Sequence, residues 1–337
     1  MIATKSRTWY AAALVFLTGL AITGCDHVTD PEGPSLIDRF GDFSVVDSLM
    51  VNRAEVDFTA SQSVVFTARF NKRVDWIVEI TGDSSGAVKR IEGFSNELTA
   101  ENARWAGGIT DLPLFKSEPV SVALLIVEED ADTMRTSLEV LVPREYEGDV
   151  VTGFEQDEEG ANVVLRNFEF ELDPTSGVSM EVPAGEEDAF YILRGSDTVV
   201  DNFFVGLAEI TSTSDDGYFT VPTTVPEDLF FNAFLYNFGS ENTIAILEIV
   251  VDVNGNGTFD DGTDATFSSG DIVLEEPGWS AFSRSVAEFG LTQEQAEQIV
   301  AIRPILISDN STQPTPRVPV DFGLDYITFT AGGPLQL

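Results

Sequence analysis

Val64-Val-Phe-Thr-Ala-Arg-Phe70 sets an apolar side chain at every second position, the period of a half-buried β-strand. Working outward, Trp76-Ile-Val-Glu-Ile80 follows after Asn71-Lys-Arg. Gly82-Asp-Ser-Ser-Gly86 reads as a turn, and Ala87-Val-Lys-Arg-Ile91 resumes the extended pattern. Val120-Ser-Val-Ala-Leu-Leu-Ile-Val127 and Leu138-Glu-Val-Leu-Val142 close the set before Pro143. Short alternating runs separated by turn signals predict an antiparallel sandwich over residues 36–143.

Pro143-Arg-Glu-Tyr-Glu-Gly-Asp149 reads as a boundary, and residues 147–332 are again strand-rich. Leu229-Phe-Phe-Asn-Ala-Phe-Leu-Tyr236 and Ile244-Ala-Ile-Leu-Glu-Ile-Val-Val-Asp252 are apolar enough for central strands. Phe230, Phe231 and Phe234 therefore read as core. A single short helix is expected near 292–302. Thr292-Gln-Glu-Gln295 fits a capping box, Ala296, Ile299 and Val300 give an apolar face, and Pro304 follows. The expected class is all-β, in two sandwiches.

Two resemblances refine this. Phe66, Phe70, Trp76-x-Val-x-Ile80, Ser85-Gly86-x-Val88 and Trp105-x-Gly107 resemble the immunoglobulin-like module of the flagellar hook-capping family. That likeness implies a structural arm without catalytic residues, with Trp76 and Trp105 as core aromatics. In the second half, Phe154-Glu155, Ala189-Phe-Tyr-Ile-Leu-Arg-Gly195, Gly278-Trp279-x-x-Phe282, Ala287-Glu-Phe-Gly290 and Leu324-Asp-Tyr-Ile-Thr-Phe329 occur in order. Their sequence is similar to that of the galactose-binding-like jelly rolls, which include many carbohydrate-binding modules. The likeness implies a larger jelly-roll sandwich over 147–332. It also implies a structural Ca²⁺ between the first and last strands, for which Glu155 and Asp325 hold matching positions. The chain departs from the pattern in its long loop Thr211–Asp228 and in lacking a strip of Trp or Tyr.

At the N-terminus, Lys5 and Arg7 precede an apolar run from Ala11 to Ile22 and then Thr23-Gly24-Cys25. The run is about half of the ~20 residues that a spanning helix needs, so it reads as a secretory signal over residues 1–24. Ile22-Thr-Gly-Cys25 resembles the bacterial lipobox. That resemblance implies lipidation of Cys25, a tether over 25–35, and anchorage in the cell outer membrane.

The 337 residues carry 57 acids against 18 lysines and arginines, a formal charge of −39. From Glu145 onward, 36 acids face five arginines and no lysine. Nucleic acid and anionic headgroups are poor partners for such a surface. Cys25 and His27 are the only cysteine and histidine, and both lie in the tether. That excludes Ser/His/Asp and Cys/His nucleophile systems and His/Cys zinc sites. A carboxylate pair for glycoside hydrolysis stays open.

One local motif suits a metal. Asp252-Val-Asn254-Gly-Asn256-Gly-Thr-Phe-Asp260-Asp-Gly-Thr-Asp264 spaces oxygen ligands at alternate positions before glycine, as a calcium loop does. It departs from EF-hand-type loops at Thr263, where a bidentate acid belongs. The equal alternative is an Asn-Gly hairpin with solvated carboxylates. For a ligand surface, Trp279 and Tyr218 flank loops and are the candidate contacts. The expected function is a lipid-anchored, non-catalytic cell-surface protein that binds a neutral polysaccharide through the jelly roll. One alternative is a structural or assembly lipoprotein that contacts a protein partner. A second is a polysaccharide-degrading enzyme.

Overall fold

The computed structural model describes residues 41–155, 163–169, 172–196, 203–309 and 319–337. The expected signal sequence, Cys25, His27 and the tether lie outside them. Val45–Leu337 forms one unit, and the regular structure of its described residues is nearly all strand. No helix among them is long and apolar enough to cross a membrane.

The first seven strands are β1 (Val45–Val51), β2 (Glu55–Asp57), β3 (Val64–Gly82), β4 (Val88–Leu98), β5 (Arg104–Trp105), β6 (Glu118–Ile126) and β7 (Met134–Val142). Hydrogen bonds join them into one network, ordered β1-β3-β6-β7-β2, with β4 and β5 also on β3. Only the β2–β7 pair is parallel among those ladders. β3 organises the set. Its buried positions alternate without a break from Val64 to Gly82. The sequence splits this strand at Asn71-Lys-Arg. The structure runs one strand through it, with a register shift against β4 between Arg69 and Val74, and Lys72, 8% exposed, meets Glu129 at 2.7 Å. Trp76 and Trp105 are fully buried, and their indole N–H groups donate to Ser95 Oγ at 2.9 Å and to the Gly108 carbonyl at 2.8 Å. Both are core aromatics with satisfied donors.

The second half holds β8 (Asp149–Thr152), β9 (Val163–Glu169), β10 (Gly177–Ser179), β11 (Phe190–Ser196), β12 (Phe204–Ser212), β13 (Leu229–Asn237), β14 (Thr243–Val251), β15 (Ala265–Ser268), β16 (Ile272–Val273) and β17 (Gly278–Ser285). Then come α1 (Val286–Phe289), α2 (Gln293–Ala296), β18 (Ile299–Ser308) and β19 (Pro319–Ala331). One six-stranded sheet runs β10-β11-β19-β13-β17, with β8 on β19. The other runs β15-β14-β18-β12-β9, with β16 on β14. Tyr191, Phe231, Leu247, Ile302 and Phe329 are among the side chains packed between the two sheets. Each fully buried aromatic or aliphatic there is worth roughly 1.5–3 kcal/mol over exposure.

Two details correct the sequence reading. The helix expected near 292–302 is a single turn, α2, which does use the Thr292–Gln295 capping box. Ile299 and Val300 belong instead to β18, and Pro304 sits inside that strand opposite Leu247. The run Ile-Val-Ala-Ile-Arg-Pro-Ile-Leu-Ile is β-branched and lies between two partner strands, so pairing outweighs the helical spacing. Second, Phe231 and Phe234 are buried but Phe230 is only partly so. Leu229, Phe231, Ala233 and Leu235 alternate into the core between the sheets, which leaves Phe234 on the opposite side of β13, where it stacks on Tyr326 with centroids 5.4 Å apart.

Candidate functional site

Each sheet carries a small apolar cluster on its outer face. On the β12/β14/β18 sheet, Val250, Val300 and Ala301 pack against half-buried Tyr218 and Phe259. On the other sheet, Ala184, Phe190 and Ile192 pack against half-buried Phe238 and Trp279. The two candidate ligand residues therefore lie on opposite faces of the sandwich and do not share a site.

Trp279 belongs to an aromatic group. It stands opposite Tyr236 in the β13–β17 ladder, with ring centroids 5.0 Å apart. Tyr236 in turn meets Phe238 at 4.7 Å, and buried Phe190 meets Trp279 edge-on at 5.4 Å. The indole N–H donates to the Pro183 carbonyl at 2.8 Å, which fixes the ring. The rim is polar. Arg194 lies 5.1 Å from the Phe238 centroid and bridges Glu181 at 2.5 Å and Asp321 at 3.2 Å. Ser240 Oγ donates to Asp321 at 2.7 Å. The hydrogen bonds that it donates to Glu181 and then to Asp321 hold the Arg194 guanidinium above its ordinary value. A fixed, partly exposed ring group beside paired donors and acceptors can take a ligand with one apolar face and polar edges.

Tyr218 serves a different neighbourhood. Its hydroxyl donates to Asp252 Oδ2 at 2.9 Å. Asp252 is fully buried and also accepts N–H groups from Asn254 at 2.9 Å, Gly255 at 2.7 Å and Gly257 at 2.8 Å. Burial alone would raise this carboxyl, but those donors hold it below the ordinary carboxylate value. The loops cross at Gly217, where a Cβ would overlap the Gly257 carbonyl oxygen. In the same loop, Asp260 accepts the side-chain amides of Asn254 at 2.9 Å and Asn256 at 2.7 Å. Asp264 accepts Val253 N–H at 3.2 Å and Asp260 N–H at 2.7 Å. The loop's own donors thus occupy its oxygens.

A third group of acids lies at the end of the β8/β11/β19 sheet. Carboxylate oxygens of Glu155, Glu186 and Glu187 come within 4.8 Å of one another. Glu155 Oε1 accepts Asp188 N–H at 2.8 Å and Ala189 N–H at 2.7 Å. Asp325, fully buried in β19, accepts Glu186 N–H and Tyr326 N–H, each at 2.8 Å. Burial pushes its carboxyl well above the ordinary value. Phe154, Glu187 and Tyr326, beside these acids, all hold positive φ, at 65°, 45° and 41°. The sequence reading names Glu155 and Asp325. It misses Glu186 and Glu187, whose signal is the run Glu186-Glu187-Asp188 just before β11.

The segment 183–188 joins these places. Its Pro183 carbonyl holds Trp279. A Cβ on Gly185 would sit 3.0 Å from Phe234, 3.2 Å from Asp325 and 3.3 Å from Trp279. The Gly185 carbonyl accepts Leu114 N–H at 2.8 Å, and Asp188 bridges Lys116 at 2.6 Å. One strap therefore ties the ring group, the acids and the first sheet together.

No protein-family model and no curated protein matches the chain. Among solved structures, it is similar to a family 11 carbohydrate-binding module from Clostridium thermocellum in complex with a β-1,3-1,4-mixed-linked tetrasaccharide. The identity is 15%, over 56% of this chain and 98% of the other, with a TM-score of 0.33. A tandem of family 22 carbohydrate-binding modules from Paenibacillus barcinonensis aligns at 12% identity, over 87% and 94% of the two chains, with a TM-score of 0.35. SGBP-B from a xyloglucan utilization locus of Bacteroides uniformis aligns at 14%, over 80% and 69%, with a TM-score of 0.33.

Proposed function

We propose that this chain is a lipid-anchored, non-catalytic surface protein that binds a neutral glycan through its jelly roll. The carrying observation is the fixed ring group of Trp279, Tyr236 and Phe238 with its rim of Arg194, Glu181 and Asp321. Sugar rings present apolar C–H faces and polar edges, which suits such a surface. Arg194 already holds two carboxylates, and the chain is strongly acidic, so an anionic glycan finds little attraction. Tyr218, on the opposite face with its hydroxyl engaged by Asp252, offers its ring as a secondary contact. In this reading residues 36–143 form an immunoglobulin-like spacer and 147–332 the binding domain.

The full chain should be run in affinity electrophoresis against mixed-linkage β-glucan and xyloglucan. Wild type should be retarded without release of reducing ends, and Trp279→Ala should lose most of the retardation. Unretarded wild type on both glycans would remove the glycan reading, and new reducing ends would make the protein an enzyme. The anchor rests on Cys25. Cys25→Ala should move the protein from the detergent phase to the aqueous phase, and unchanged partitioning would sink the lipid anchor.

Structural Ca²⁺ belongs to the same proposal. Glu155, Glu186 and Glu187 offer converging oxygens of the hard-donor type that Ca²⁺ takes, with Asp325 tied to Glu186 through its backbone. Asp252, Asn254, Asn256, Asp260 and Asp264 offer a second set. There an ion would have to displace the loop's own hydrogen bonds.

A further inference from the structure

Asn-Gly is the pair at which a chain most readily loses a side-chain amide. The glycine nitrogen attacks the asparagine Cγ and gives up its proton, ammonia leaves, and water opens the resulting succinimide to aspartate or isoaspartate. Glycine favours the step because no Cβ shields its nitrogen and its backbone turns freely. The chain holds two such pairs, Asn254-Gly255 and Asn256-Gly257, and they are consecutive. Asn254, Gly255 and Asn256 are exposed, so water and base reach them.

The fold withholds both reacting groups at each pair. The two attacking nitrogens donate to one buried carboxylate, Gly255 N–H to Asp252 Oδ1 at 2.7 Å and Gly257 N–H to Asp252 Oδ2 at 2.8 Å. Those donors, with Tyr218 and Asn254, keep Asp252 an anion. Attack needs the glycine N–H proton to leave, and negative charge growing on that nitrogen beside a carboxylate is repelled. The amides under attack are pinned as well. Both Nδ2 groups donate to Asp260 Oδ2, from Asn254 at 2.9 Å and from Asn256 at 2.7 Å. Asn254 Oδ1 accepts Asn256 N–H at 3.1 Å, and Asn256 Oδ1 accepts Thr258 N–H at 2.8 Å. Each Cγ is held through both of its substituents, so reaching an attack geometry breaks two hydrogen bonds.

We propose that Asn254 and Asn256 form a latent deamidation site that Asp252 and Asp260 keep closed. Opening it is one-way. Deamidation replaces the two donors on Asp260 with carboxylates, so like charges converge where hydrogen bonds stood and the loop cannot re-form them. Asp252 also accepts the Tyr218 hydroxyl, so the change extends to the neighbouring loop.

The test follows the 252–264 peptide of the full chain by mass spectrometry during incubation at mildly alkaline pH. A chelator is present, so that no cation holds the loop. Folded wild type should deamidate there at least about tenfold more slowly than the same chain unfolded in urea. Asp252→Asn keeps the side chain's shape but removes its charge and one acceptor, and should raise the folded rate about tenfold. Asp260→Ala frees both side-chain amides and leaves the glycine nitrogens bonded, and should raise it part-way. Circular dichroism checks the fold of each variant. If Asp252→Asn does not fold, the urea comparison and Asp260→Ala decide. Equal rates in folded and unfolded wild type overturn the proposal. So does a folded Asp252→Asn or Asp260→Ala chain that deamidates at the wild-type rate.

Discussion

Glu118 shows how much one side chain can hold. It is 3% exposed and accepts Ser84 N–H and Ser84 Oγ, each at 2.7 Å, Ser85 N–H at 2.9 Å and Ser85 Oγ at 2.5 Å. Together these close the turn between β3 and β4. Burial alone would raise its carboxyl, but the Ser85 and Ser84 donors bring it below 4.5. A lowered folded value means that the stability is present above the unfolded value and is lost as pH falls through the folded one. Glu118→Gln should therefore cost about 1–3 kcal/mol at pH 7 in urea unfolding, and the gap to wild type should close as pH falls below the ordinary carboxylate range. A gap that persists unchanged in acid would refute the charged clip. Asp325 has the opposite sign. Its raised value contributes stability in acid that is lost as pH rises through that value. Glu118 is visible in the sequence only as an acid at the start of a strand. Its partners lie more than thirty residues away in a serine turn, a pairing that no local pattern encodes.

At the scale of elements, the strands were largely legible because alternation and β-branched runs decide them. Val64–Phe70 and Ile244–Val251 fall within β3 and β14, and Val120–Val127 overruns the end of β6 by one residue. Two errors differ in cause. The helix spacing at 292–302 is a local signal overruled by neighbours in the sheet, whereas Asn71-Lys-Arg marks a register shift within β3 and no end to it. The Asp252–Asp264 loop was legible as a ligand-rich turn between strands, while its contact with Tyr218 was not. Asp252 gathers three backbone N–H groups and a phenol, so Asp252→Ala should cost about 2–4 kcal/mol and deprotect residues 252–264 in hydrogen exchange. If Ca²⁺ binds only the folded chain, a hundredfold excess over Kd adds about 2.7 kcal/mol. A chelator should then lower the melting temperature of wild type, and by less in Asp252→Ala or Asp325→Ala. Identical wild-type melts with and without chelator would dismiss both calcium sites.

Across the whole molecule, charge sets the conditions under which these elements hold. A formal −39 on 337 residues repels itself at low ionic strength. The Debye length falls to about 3 Å at 1 M salt, so the melting temperature should climb with NaCl and level off toward ~1 M. A flat curve would mean that the local pairs already absorb the repulsion. The strap 183–188 has a different consequence, one for descent. Loops usually lengthen and shorten freely as lineages diverge. This one answers at once to a tryptophan, a buried aspartate, a glutamate pair and a neighbouring sheet, all within six residues. An added or deleted residue would put at least one of those attachments out of step, so its length is inherited as a unit.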